Sequence, residues 1–398
     1  MTTPWRDAVK PLASLRLTVV LLALSIFLIF SGTWAQIDMG IWTTLKTYFR
    51  SYLVWIPLQI FFPRRWGVHG AIPYPGGTLL GTLLMINLLT AHAVRFKLKR
   101  RQLGIWLVHL GIVLLLVGEG VTAMFADENL MSIDEGQTVN YAEDVRVVEL
   151  AVIDKSDPQT DRVVAIPQSM LRKGRVLHHP TLPFDLRIDQ FFPNAHLVDA
   201  ANATGTVVAA NRGTAATRNL VAQEQPTVSG VERGDIDLPV ALVTPVASGQ
   251  ELGTWMASLD FSLMPQDGPQ EIAFDNKTYR VELRHRRVYK PYSVKLLDFK
   301  HDVYLGTDTP KNFSSRIQLV DPSHNENREV LIYMNNPLRY QGETFYQASF
   351  KQGDGGTVLQ VVRNPGWLLP YVACAMGALG LLIHFGAQLL RFVNGRKA

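Results

Sequence analysis

LGIWLVHLGIVLLLVGEGVTAMF, residues 103–125, decides the fold class of this chain. At a rise of 1.5 Å per residue, this apolar run is long enough to cross a hydrocarbon core of about 30 Å as a helix. RFKLKRRQ, residues 95–102, stands immediately before it, and positive charge flanking an apolar span marks the cytoplasmic side. Three further apolar segments occupy residues 17–33, 77–94 and 366–390. The first follows Arg6, Lys10 and Arg16, and the last runs into Arg391, Arg396 and Lys397, so the basic clusters fall on one side. The sequence therefore predicts an integral membrane protein with four transmembrane α-helices. A large β-rich extracytoplasmic domain, residues 126–365, lies between helices 3 and 4. Residues 1–16 and 391–398 are expected as cytoplasmic tails, and 34–76 as an extracytoplasmic segment.

Two stretches compete with this count. Thr33-Trp34-Ala35 loosely resembles a small-x-small cleavage site, so a signal peptide is the alternative to a first span, although the tryptophan weakens that reading. YLVWIPLQIFF, residues 52–62, is short, contains Pro57 and sits between Arg50 and Arg64-Arg65, which reads as an interfacial segment. A fifth span there would put the N-terminus and the basic loop on opposite sides.

The formal charge of +5 suggests no nucleic-acid partner, because the clustered cations border the spans. A single cysteine, Cys374, excludes an internal disulfide, a CxxC pair and a CxxCH attachment site. In the last span it reads as a packed small residue.

Between residues 126 and 365 the pattern changes to short alternating runs: VRVVELAVID (145–154), TYRVELRHRRVY (278–289), SSRIQLVD (314–321), REVLIYM (328–334) and TVLQVVR (357–363). These are antiparallel strands by their period, and no long amphipathic helical pattern interrupts them. LPFDLRIDQF (182–191) and KPYSVKLLDF (290–299) echo each other. Both would turn inward one set, Phe184, Leu186 and Ile188 or Tyr292, Val294 and Leu296. Two similar β-units, or two unrelated strands with a common pattern, account for this. Residues 195–235, rich in Ala, Thr, Gly and Asn without period, read as a long exposed excursion. His178-His179 beside Pro180 read as exposed loop histidines. No GxSxG, HExxH, GxxxxGK[ST] or GxGxxG signature is present.

Ionisable residues inside spans are costly and mark function by default. Here they are His92, His109 and His384, with Glu119 near an outer end. The three histidines fall within roughly 5 to 11 Å of the cytoplasmic ends of their helices by helical rise. A neutral imidazole at that depth suits an axial position on haem iron, with the neighbouring Arg and Lys residues pairing with propionates. Snorkelling or interhelical hydrogen bonds are the favoured account of His92 and His384. His109 is deeper, beside Trp106, and harder to explain that way.

The chain resembles the ResB (CcsB) proteins of cytochrome c biogenesis system II. The likeness rests on LASLRLTVVLL (12–22), GTWAQIDMGIW (32–42), VHLGIVLLLVGEGVTAMFADENLMSIDEG (108–136), KPYSVKLLDFKHDVYLGTDTPKNFSSRI (290–317), MNNPLRYQGETFYQASF (334–350) and VVRNPGWLLPY (361–371). It implies a bacterial inner-membrane subunit that, with a CcsA-type partner, delivers haem across the membrane and assists its covalent attachment to apocytochrome c. Haem b would be bound transiently and non-covalently, with His109 as an axial ligand to its iron and His92 and His384 as further cofactor-binding candidates. A thioredoxin-like reductant of the apocytochrome cysteines is a further implied partner. The tryptophan-rich haem-handling motif carried by the partner, or by fused versions of the family, is missing here, the eight Trp residues being scattered, so the chain alone is expected to be non-catalytic. A scaffold or apocytochrome chaperone without haem contact is the alternative, and a transporter subunit for another substrate a third.

Overall fold

The first helix continues well beyond residue 33, through the mixed stretch WAQIDMGIWTT. In the computed structural model, which describes residues 9–95, 102–157, 160–203, 208–227, 237–263, 270–306, 310–351 and 355–395, helix α1 spans Leu15–Thr44. It bends at Gly40, whose φ of 68° is accessible to glycine at little cost, and ends in one π-helical turn, Leu45–Phe49. Helices α2 (Gly77–Arg95), α3 (Leu103–Phe125) and α4 (Leu369–Gly395) complete a set of four long and apolar enough to cross a membrane. Arg6, Lys97, Lys99, Arg100, Arg101, Arg396 and Lys397, members of the basic clusters beside the spans, lie outside the described residues.

The chain divides into two compact units, one of the described residues up to Asp127 and from Arg363 onward, the other of those between Glu128 and Val362. In the helical unit, Leu21, Leu28 and Ala35 repeat every seven residues and form the buried stripe of α1. Within the stretch 52–62, read as interfacial, the chain is extended. Strand β1 (Leu53–Pro57) pairs antiparallel with β2 (Ala71–Pro75), and a 3-10 turn, Leu58–Phe61, follows β1. Its alternation buries Val54 and Ile56 against the α1 stripe and exposes Leu53 and Trp55.

Helices α3 and α4 meet along small residues. A Cβ on Gly104 would lie 2.6 Å from the Gly380 carbonyl oxygen, one on Gly111 2.8 Å from that of Ala373, and one on Gly118 3.2 Å from Leu369 Cβ. Seven-residue spacing puts the three glycines of α3 on one face, and only glycine lets two backbones approach this closely. Cys374 is one position round from Ala373 and lies exposed on α4, not packed as expected, because the seam is taken by Ala373 and Gly380.

The second unit is β-rich. Its larger sheet joins β3 (Asp127–Asp134), β4 (Thr138–Asp154), β14 (Lys277–Val303), β15 (Pro310–Asp321), β16 (Glu326–Tyr333), β17 (Leu338–Tyr340), β18 (Glu343–Phe350) and β19 (Gly356–Arg363) in the order β16-β15-β14-β4-β3-β19-β18-β17. Strand β5 (Arg162–Pro167) pairs with β4, and β13 (Gln270–Phe274) with β14. A smaller sheet holds β6 (Val176–Leu177), β7 (Asp185–Phe192), β10 (Val240–Ala247), β11 (Gln250–Glu251) and β12 (Trp255–Ser258). All five strand segments read from period two are strands, and the helices of this unit are no longer than five residues among the described ones.

Two hydrophobic cores form, and the long strands β4 and β14 contribute to both. Phe184, Leu186 and Ile188 point into one, Tyr292, Val294 and Leu296 into the other, all at 3% exposure or less. At Lys290-Pro291 the β4–β14 register shifts, as expected where proline cannot donate to the ladder. Before that break, Arg284, Arg286 and Arg287 stand opposite Glu149, Asp144 and Glu143 and pair with them at 3.0, 2.9 and 3.1 Å. These pairs penalise any slip in register, since a shift would bury charges without partners.

The excursion expected over 195–235 is in part a packed element. Strand β8 (Ala195–Asp199) pairs with β9 (Leu220–Glu224), and Ala195, Ala210, Ala215 and Ala222 are buried with Val240, Met256 and Phe261. Small side chains let this ribbon pack closely without the large apolar residues that a periodic pattern would reveal.

Candidate functional site

The interhelical hydrogen bonds of the helical unit converge on α2. His92, one turn from the end of α2, sets its Nδ1 2.9 Å from the Leu88 carbonyl oxygen. His109 of α3 sets its Nδ1 3.0 Å from His92 Nε2, the rings meeting edge to face with centroids 4.7 Å apart. Trp106, one turn before His109, packs edge-on against His92 at 4.6 Å. A carbonyl oxygen only accepts, so His92 carries its proton on Nδ1 and, in the neutral pair, accepts at Nε2 from the Nδ1–H of His109. The lone pair of His109 is then on Nε2. The two rings form a one-way relay from His109 through His92 to the backbone.

Both histidines line a cavity of about 570 Å³ between α1, α2 and α3. Leu15 and Leu22 of α1, Leu84 and Leu88 of α2, and Ile112 and Leu116 of α3 make most of its wall. Its polar groups are few: the two imidazoles, Thr18, Asn87 and Gln102. This matches the general form of cofactor pockets, roughly 300–1,000 Å³ of apolar wall with a few placed polar groups.

Asn87 is the site residue that charge-based reading overlooked. It is 3% exposed, accepts from Thr18 Oγ1 at 2.6 Å, and donates to the carbonyls of Leu12 and Ser14 at 2.6 and 3.1 Å. That network fastens the start of α1 to the middle of α2. An uncharged amide inside MINLLT was its available signal.

His384 is not a wall residue of this cavity. Its Nε2 accepts from Gln388 Nε2 at 2.9 Å on the same helix, and its backbone packs against Gly104. Glu119 pairs with Arg50 at 3.6 Å and is largely exposed. In the β-rich unit His178 and His179 are exposed and bonded locally, to Asp185 and Thr181. No group of three or more metal-ligating side chains occurs among the described residues.

The motif MNNPLRYQGETFYQASF has mainly architectural partners. Gln341 and Gly342, both at positive φ, make the two-residue turn between β17 and β18. Asp321, fully buried, accepts from Ser323 Oγ (2.5 Å), Tyr340 OH (2.8 Å) and Gln341 Nε2 (2.7 Å). Phe345 is in the second core, Glu343 is paired with Lys290 at 2.5 Å and also bonded to Tyr292, and Gln347 bonds Ser315 at 2.6 Å.

Residues 269–358 match the ResB-like family model. The chain thus carries a ResB-like domain, which includes the closing motif and most of the second core, and the ResB (CcsB) resemblance is borne out. Among individual proteins it is similar to Protein NrfI of Wolinella succinogenes, 26% identical over 327 residues, covering 79% of this chain and 30% of that one. It is also similar to the cytochrome c biogenesis protein CcsB of Picosynechococcus sp., 37% identical over 81 residues, 20% of this chain and 17% of that one. The matched stretches thus span less than a third of either relative's length.

Proposed function

We propose that this chain is a membrane subunit of cytochrome c biogenesis that holds haem as cargo between its first three helices, for attachment to apocytochrome c with a CcsA-type partner. The observation that carries the reading is the His92–His109 relay on the wall of a 570 Å³ apolar cavity. Bound haem would supply an iron that takes a neutral imidazole nitrogen, and His109 Nε2 is the nitrogen the relay prepares for it. His92 orients His109, as outer-shell partners of metal-bound histidines do. The named function of CcsB and the ResB-like domain support the pathway. The four apolar helices support a bacterial inner-membrane location, and the basic clusters in the sequence support an extracytoplasmic β-rich unit. A thioredoxin-like reductant would keep the apocytochrome cysteines reduced for this step.

The competing reading makes the chain a scaffold or apocytochrome chaperone, with the histidine pair and Trp106 serving only to pack α2 on α3. Purification with the partner and a haem absorption spectrum separates the two. Haem handling predicts loss of bound haem in His109→Ala with the complex still assembled. Unchanged haem content in that variant would leave only the scaffold.

A further inference from the structure

Strand edges left unpaired at a groove are templates for another strand, and the β-rich unit has two such edges side by side. Among the described residues β5 is bonded along one edge only, to β4, and β6 is the outer strand of the smaller sheet, bonded to β7. Val164–Pro167 and Val176–Leu177 line one groove of about 260 Å³. Its floor is the open side of the first core: Val164, Ile166 and Leu177 are at most 8% exposed. Edge strands are ordinarily blunted by lysine, proline or a bulge. Between Arg162 and Pro167, β5 has only Val163, Val164, Ala165 and Ile166.

The rim carries one sign of charge. Arg175 lines the groove and Arg172 and Lys173 precede it, all exposed, and residues 168–184 contain no carboxylate. Among the described residues no acidic side chain pairs with any of these three cations, whereas Asp185 is already engaged by His178.

We infer that this groove binds an extended polypeptide segment of alternating apolar and acidic residues, added as a strand to the edge of β5. Alternation sends every second side chain to the floor at Val164 and Ile166 and the intervening carboxylates toward Arg172, Lys173 and Arg175, while the backbone completes the ladder. The inference rests on the β-rich unit alone and stands whether or not the helical unit holds haem.

The test uses the full-length protein in detergent and two fluorescent probe peptides, one of alternating Val and Glu, the other of alternating Val and Lys. The Val-Glu peptide is expected to bind at least about tenfold more tightly, and the Arg172→Glu/Lys173→Glu/Arg175→Glu variant to lose at least about tenfold of that affinity, in proportion to the charge complementarity. Hydrogen exchange should slow in β5 on addition of Val-Glu peptide. Ala165→Pro, on the exposed side of β5, should abolish that protection while the thermal transition is retained. Equal binding of the two peptides, unchanged binding by the charge-reversed variant, or protection absent from β5 would each overturn the inference.

Discussion

His109 Nδ1 lies 3.0 Å from His92 Nε2, and His92 Nδ1 in turn lies 2.9 Å from the Leu88 carbonyl oxygen. The backbone carbonyl thereby dictates the tautomer of a ring on a different helix. This gives the two histidines unequal roles, one presenting a basic nitrogen and one holding it in place.

Unequal roles predict unequal losses. His109→Ala should remove bound haem, whereas His92→Leu should weaken retention by about 10–100-fold, the usual cost of losing an outer-shell partner. His92→Gln, whose amide oxygen can accept from His109 Nδ1, should retain more haem than His92→Leu. His384→Ala should leave haem content unchanged, because its ring is bonded to Gln388 away from the cavity. Haem spectra of the four purified variants check this, and equal loss from His109→Ala and His384→Ala would contradict the assignment.

The α3–α4 seam predicts intolerance of any side chain at Gly104. Its Cβ would meet Gly380 O at 2.6 Å and His384 N at 2.7 Å, both backbone atoms that cannot swing aside. Gly104→Leu should lower stability in detergent by about 1–3 kcal/mol or more, the scale of overpacking. Gly120→Leu, where nothing lies within 4 Å of an added Cβ, serves as the control and should be neutral. Equal melting temperatures for the two variants would refute the seam.

Lys290 and Glu343 form an ion pair whose side chains are 6% and 11% exposed. Removing one partner strands the other, so Lys290→Met should cost about 3–5 kcal/mol. Lys290→Met/Glu343→Gln should recover most of that loss, since the glutamine oxygen still accepts from Tyr292 without a charge to neutralise. Denaturant midpoints give the comparison. A double variant no more stable than the single one would show that the charge is not the cause.

Asp321 links the β-rich unit to pH. Hydrogen bonds from Ser323 above all, opposed by burial and reinforced by Tyr340 and His324, hold its carboxyl well below the ordinary carboxylate range. A folded-state pKa below the unfolded one means stabilisation that is complete above the unfolded value of about 4 and disappears as pH falls toward the folded one. Wild-type stability should therefore drop in acid below about pH 4, and Asp321→Asn should be weaker at pH 7 with a shallower acid decline. Unfolding curves from pH 7 to pH 3 read this directly, and parallel declines would exclude Asp321 as a contributor.

Much of the fold was legible because the patterns that encode it are local. Apolar runs identified the four helices, and period two identified the strands around residues 145–154 and 278–289, including the two inward triplets. The ribbon over 195–224 escaped because alanine packs by being small, which leaves no period to read. The hairpin of β1 and β2 escaped because one face of YLVWIPLQIFF is buried and the other exposed, and both faces are apolar.

The sequence by itself determined which residues are apolar, charged or able to ligate, and so it determined the helices, the β-rich unit and the candidate histidines. Only the tertiary structure decided which histidines meet. His92 and His109 are 17 residues apart and His384 far beyond them, yet separation along the chain does not set distance in space. The antiparallel return of α3 beside α2 puts two rings at one level on a shared wall, while the glycine seam fixes His384 elsewhere. Ring orientation, and with it the nitrogen that carries the lone pair, depends on a carbonyl one turn away, which no residue type in the sequence announces.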